Sequence, residues 1–170
     1  MKKIVISLFI FLMITMNISA MDAEQEQLNL NLWCEIFSID LSVHLKIFNA
    51  DVSREAIRQL LDAGADANSI SPLKKSSVGT IPLIFAISIF DLELIELLIN
   101  SGADINGSDP FLHINPIHRI LDFLEFYSGE NQQVKSLAYR ILSLLVNKGA
   151  NLRIRNQEGE KAKKRCKDYM

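Results

Sequence analysis

The chain has 170 residues, 49% of them hydrophobic and 22% charged, with a formal net charge of −2. That is enough chain for one domain of ordinary globular composition, and the mild negative charge disfavours nucleic acid as a general partner.

The first twenty residues read as a targeting segment. Lys2 and Lys3 form a positive start, Ile4 to Met16 is an uncharged, largely apolar run of 13 residues, and Ile18-Ser19-Ala20 ends in small residues, so cleavage is expected after Ala20. A spanning helix needs about 20 apolar residues, more than this run supplies. The protein is therefore expected to be secreted or periplasmic, with no membrane attachment after cleavage. Removing the segment takes away two lysines and no acid, leaving 16 basic and 20 acidic side chains, net −4.

Residues 21–42 are expected to form an N-terminal capping segment. Met21 to Asn29 is mostly polar and expected to fray. Leu30 to Phe37, with Leu32, Trp33 and Ile36, reads as a short helix covering the first structural unit. Asp51 or Ser53 is placed to cap a helix that runs to Leu61, and Ser69 to Gly79 reads as a long loop. Cys34 and Cys166 fall at opposite ends of the expected stack, so no bridge within the chain is expected; pairing between chains stays open.

Ile81 to Asp109 is the clearest unit. Thr80 and Pro82 open a helix carrying Leu83, Ile84, Ala86 and Ile87. Asp91 is placed to cap a second helix, whose Leu94, Ile95, Leu97, Leu98 and Ile99 are too apolar for one narrow stripe and imply neighbours on more than one side. Gly102 is expected to end it in the left-handed conformation. Pro116 to Phe126 reads as another helix, Tyr127 to Asn131 as a break, and Val134 to Val146 as a helix with Leu137, Ile141, Leu144 and Leu145 on one face. Asn156 to Met170 reads as a truncated last unit, with Lys161, Lys163, Lys164, Arg165 and Lys167 on a solvated closing cap.

A Gly-Ala pair follows a Leu-Leu run three times, at Gly64, Gly102 and Gly149, with spacings of 38 and 47 residues. Recurrence at such a period marks stacked supersecondary units. The stretch from about Val43 to Ala162 resembles the ankyrin repeat. Ile81-Pro82-Leu83-Ile84-Phe85-Ala86 and Asn115-Pro116-Ile117-His118-Arg119-Ile120 fill the slot of its Thr-Pro-Leu-His-x-Ala opening. Ile84 to Gly102 matches its spacing, and Gly79 and Gly159 match its turn glycine. Phe90 stands where the family has glycine, Ile84 where it has histidine, and Val43 to Phe48 is a degenerate opening. Insertions before Gly79 and before Gly149 account for the irregular period.

The resemblance implies an all-α fold: a short ankyrin-type solenoid of about three repeats plus a truncated C-terminal cap, within residues 43–170. It also implies a monomeric protein-interaction module that binds a protein partner through its concave face and turn tips. Carried over by position, the candidate contacts are Lys74, Lys75, Phe85, Ser88 and Ile89 in the second unit and Asp109, Phe111, His113, Arg119 and Asp122 in the third. An exposed Phe among charges suits an interface anchor; packing of Phe85 and Phe111 against adjacent units is the alternative.

No phosphate-binding glycine loop, zinc-helix motif, nucleophile elbow or Cys-x-x-Cys is present. His118 occupies the family's structural histidine slot, and its spacing to Asp109 and His113 matches no defined metal site. No catalysis, metal or cofactor is expected. Asn106-Gly107-Ser108 is formally a glycosylation acceptor, discounted because the leader has a bacterial look. Export and the interaction fold together suggest a host-directed effector; the alternative is a structural or immunity-type subunit masking a co-exported enzyme.

Overall fold

Prolines and glycines punctuate the helices as the sequence anticipates. Pro82 and Pro116 each stand in a first helical turn, where a missing N–H has no partner to lose. The computed structural model describes residues 23–45, 50–72, 81–126 and 132–169. Among these the fold is all-α, with seven α-helices, no strand and one isolated antiparallel bridge between Arg155 and Lys161. The expected leader, Lys74, Lys75, Gly79, Thr80 and the break at 127–131 lie outside the described residues. No described helix is long and apolar enough to cross a membrane. The chain divides into two compact units, Met1–Pro72 and Leu73–Met170.

In the first unit, helices α1 (Ala23–Leu45) and α2 (Ala50–Asp62) pack together. Helix α1 is far longer than the expected Leu30–Phe37 and includes residues 23–29 of the stretch expected to fray, residues 21 and 22 lying outside the described residues. The reason is long-range. Gln25 Nε2 donates to the Gly64 carbonyl at 2.9 Å, and Asn29 Oδ1 accepts the Asp66 N–H at 2.7 Å, so polar side chains tie the helix start to the turn after α2. Leu32, Trp33, Ile36 and Ile39 are buried, and the Trp33 and Phe37 rings lie 5.3 Å apart. Neither Asp51 nor Ser53 is a cap, because α2 already includes both. Asp51 instead accepts from Arg54 at 2.8 Å, and Ser53 is buried beside Ile57.

In the second unit, α3 (Pro82–Ser88) packs on α4 (Leu92–Asn100) and on α5 (Pro116–Phe126), while α5 packs on α6 (Gln132–Asn147) and on α7 (Ala162–Arg165). Helix α5 is the hub. Asp91 caps α4 as expected, accepting the Leu94 N–H at 2.9 Å. The helix buried on all sides is α3, in which Pro82 through Ile87 are all buried. Helix α4 buries Leu94, Ile95 and Leu98 and leaves Leu97 and Ile99 half-buried, so the expectation of all-round burial belongs one helix earlier.

Three turns share one construction. Gly64, Gly102 and Gly149 have φ of +102°, +90° and +94°. After α4, Ala103 donates to the Leu98 carbonyl at 2.9 Å and Gly102 to that of Ile99 at 3.1 Å. The same pair of bonds recurs after α2, from Ala65 to Leu60 and Gly64 to Leu61, and after α6, from Ala150 to Leu145 and Gly149 to Val146. This is the Schellman pattern that satisfies the last helical carbonyls. Two residues beyond each glycine an Asx side chain closes the next turn: Asp66, Asp104 and Asn151 each accept the N–H two positions on. In the second unit, Asn106 Oδ1 accepts the Asn151 N–H at 2.7 Å and so sets one turn against the next.

The last segment differs from expectation. Helix α7 has four residues and continues as a short 3-10 turn, Cys166–Asp168. Its lysines 161, 163, 164 and 167 are exposed, but Ala162, Arg165 and Cys166 are buried. Arg165, expected on a solvated basic face, belongs to the interior instead.

Candidate functional site

The loop before α5 is built around Asp109. Its Oδ1 accepts the N–H of Phe111 at 2.9 Å and of Leu112 at 2.8 Å, while its backbone N–H donates to Ile114 and its carbonyl accepts from His113, both at 2.8 Å. Asp109 is fully buried. It shapes the loop and is not a surface contact, a correction to the candidate set. The loop leaves Phe111 47% exposed and holds His113 at φ +51°, a conformation that costs an L-residue energy.

At the start of α5, Asn115 Oδ1 accepts the His118 N–H at 3.2 Å, so Asn115 acts where the resemblance places a Thr. His118 is fully buried. Its Nε2 lies 3.1 Å from the Ile154 carbonyl and its Nδ1 2.9 Å from Arg165 Nη1. A guanidinium only donates. Nδ1 is therefore the acceptor, Nε2 carries the hydrogen, and the ring is neutral. Burial pushes the His118 pKa below its ordinary value; the Ile154 carbonyl opposes this and the Arg165 charge adds to it.

Arg165 completes the node. Its Nη2 donates to Asp122 Oδ1 at 2.6 Å and its Nε to Glu125 Oε1 at 2.8 Å. Burial works against its charge, but the two carboxylates outweigh burial and raise its pKa. Through these bonds α7 is fixed to α5, and through His118 α5 is fixed to the turn at Ile154.

Beside this node lies a cleft of about 340 Å³ between α5 and two loops, lined by Leu112, His113, Ile114, Asn115, His118, Arg119, Asp122, Asn156, Gln157 and Glu158. Gln157 Nε2 donates to the Leu112 carbonyl at 2.7 Å and holds the two loops together. Arg119 Nε donates to Ser88 Oγ at 2.8 Å, and its guanidinium lies 5.0 Å from the Phe123 ring centroid.

Of the residues singled out from the sequence, His113, Arg119 and Asp122 come together in this cleft. Ser88 is joined to it through Arg119, and Ile89 is half-buried. Phe85 is only 2% exposed, inside α3, so its reading as a surface anchor is corrected: every side of that short helix is covered. Lys74 and Lys75 lie outside the described residues. Asn156, Gln157 and Glu158 are absent from the candidates drawn from sequence. They sit at the tip marked by Gly159 (φ +80°), so carrying the Asp109–His113 positions one unit further would have found them. Among the described residues no group of His, Cys, Asp and Glu is arranged to hold a metal ion. Cys34 and Cys166 are free thiols, both pushed up in pKa by burial.

Compared with known proteins, the chain matches no protein-family model and no curated protein.

Proposed function

We propose that the protein is an exported, non-enzymatic interaction module of the ankyrin-repeat type, and that it binds a protein partner through α5 and the adjoining loop tips. The observation that carries this reading is the repetition of one turn: three Gly-Ala turns share the same hydrogen bonds and the same Asx closure. Repeated turns of this kind present loop tips along one side of a stack of first helices. Here α3, α5 and α7 supply that row. The cleft beside α5 is the recess in that side, and exposed Phe111 adjoins its lining residue Leu112. A buried, neutral His118 with both nitrogens engaged is suited to holding the scaffold, not to proton transfer.

The test is capture of partners by residues 21–170, immobilised and exposed separately to lysate of the producing cell and of a eukaryotic host. A saturable protein complex lost on Phe111→Asp, with unchanged melting of the variant, is the expected result. Turnover of a bound substrate, or capture indifferent to this substitution, would overturn the reading.

A further inference from the structure

We infer that the outer face of α6 is a second docking surface, which takes an acidic amphipathic helix of a protein partner. The partner's apolar stripe lies in the recess between α6 and Tyr169, and its carboxylates meet Lys135, Arg140 and Lys167. This goes beyond the binding reading of α5 and does not depend on it.

The recess is built by the short last unit. Helix α7 has four residues and continues as a 3-10 turn, so it brings Tyr169, and not a further turn of helix, against α6; the Tyr139 and Tyr169 rings lie 6.1 Å apart. Tyr139, Leu142, Ser143, Val146, Asn147 and Tyr169 line a recess of about 510 Å³. On α6 these positions fall at i, i+3, i+4, i+7 and i+8, one side of the helix. At 1.5 Å per residue they span about 12 Å, or two turns. That side adjoins the stripe of Ala138, Ile141 and Leu145, which is buried, and Leu142 belongs to both. Tyr139, Val146 and Tyr169 remain half-buried, while Ser143 and Asn147 are exposed. An apolar stripe at helical spacing with an open recess over it suits a helix laid in a groove.

Charge decides the kind of helix. Helix α6 carries Lys135 and Arg140 and no acid. Lys135 stands four residues before Tyr139 and Arg140 three before Ser143, so both lie along the recess. Lys167 stands two before Tyr169 on the other wall. None of the three has an ion pair among the described residues, and Arg140 and Lys167 are exposed. Residues 132–170 hold ten basic side chains and three acidic ones, Glu158, Glu160 and Asp168, and Glu160 is already paired with Lys164 at 2.6 Å. The first 131 residues hold eight basic and seventeen acidic side chains, so the small overall charge conceals a local positive surplus. The lining of the recess is itself uncharged, with the cations at its rim. Its occupant therefore presents an apolar stripe flanked by carboxylates. A phosphate backbone brings charge without the stripe, and a flat lipid surface does not enter a recess, which favours polypeptide over both.

The experiment is titration of the 15N-labelled full chain with a blocked peptide repeating Leu-Glu-Glu-Leu-Leu-Glu-Glu. Two controls accompany it: the same peptide with Lys for every Glu, and the same peptide with Gln for every Leu. The first peptide should give saturable shifts at residues 139, 142, 143, 146 and 169 and bind more weakly as salt rises. Each control should bind at least about tenfold more weakly. Arg140→Glu and Lys167→Glu remove no contact within the described residues. Each should weaken binding at least about threefold, the size expected when an exposed charge pair is lost, with unchanged melting. Phe111→Asp should leave peptide binding as it is. Equal binding of either control, shifts confined to other surfaces, or indifference to both charge reversals would overturn the inference. Duplex DNA or phosphatidylglycerol vesicles saturating this face where the acidic peptide does not would overturn it in favour of a phosphate-binding surface. Failure of the peptide alongside a captured protein lost on Phe111→Asp sinks this inference and leaves the α5 reading intact; peptide binding with no such capture does the reverse.

Discussion

The turn at Gly102 and the node at His118 and Arg165 both anchor a helix to another part of the chain, by opposite means. The Gly102 turn is local. The two backbone bonds that end the helix lie within six residues, and a glycine supplies the conformation. The node is long-range, joining side chains 36 to 47 positions apart through charged and buried groups. The local device occurs three times among the described residues, and the long-range one joins α5 to α7 and to the turn at Ile154. A backbone solution serves wherever a helix ends in the same way, whereas a side-chain node suits one place.

The node is the costlier to break. Arg165→Met removes the donors to Asp122, Glu125 and the buried His118 Nδ1. Loss of one partner from a fully buried ion pair costs about 3–5 kcal/mol. Asp122 and Glu125 are partly solvated, which lowers the expectation to about 2–3 kcal/mol, read from urea unfolding of the full chain. A negligible loss would mean that α7 is held by packing of Ala162 and Cys166 alone.

The turn comes next. No atom lies within 4 Å of a Cβ built on Gly102, so substitution there meets strain without a clash. Gly102→Val should cost about 1–2 kcal/mol, and Gly102→Asn clearly less, because Asn tolerates the left-handed region. Equal losses for the two would show that space, not backbone conformation, sets the penalty.

Acid separates the two devices without mutation. The His118 pKa is lowered on folding, so the unfolded chain binds the extra proton first as pH falls. The stability this histidine contributes is therefore complete above its ordinary value of about 6.5 and is lost as pH falls below it. Unfolding at pH 7.5 and 5.5 should show a drop in the parent and a smaller one in His118→Gln. The same slope in both would place the titrating group elsewhere.

The smallest effect is expected at Phe90, between α3 and α4, at φ +57° where the turn would suit a glycine. Its ring lies 4.8 Å from that of Phe123. Phe90→Gly relieves about 1–2 kcal/mol of backbone strain and loses an aromatic contact of about 0.5–1.5 kcal/mol with some buried area. The net change should stay within about 1 kcal/mol; a larger loss would make Phe90 a packing residue first.

This contrast also explains what could be read from the sequence. Gly64, Gly102, Gly149, Gly159, Pro82 and Asp91 act through their own backbone or that of residues a few positions away, and each stands where the sequence placed it. Residues that act at a distance are harder to read. Gln25 and Asn29 resemble a fraying end because the turn they hold is 39 and 37 residues away. Arg165 resembles one more charge in a basic run. Phe85 reads as exposed because a short helix covered on every side carries no polar face to reveal its surroundings. In the cleft, His113, Arg119 and Asp122 are residues the sequence singled out, whereas Asn115 and Glu158 require knowing which loops meet.

The central claim is that partners are met by α5 and its neighbouring loop tips. Amide hydrogen exchange on the full chain, with and without a captured protein partner, tests it most directly. Added protection concentrated in residues 111–122 and 156–158 is the predicted result. Protection confined to α4 and α6, with those segments unchanged, would contradict it.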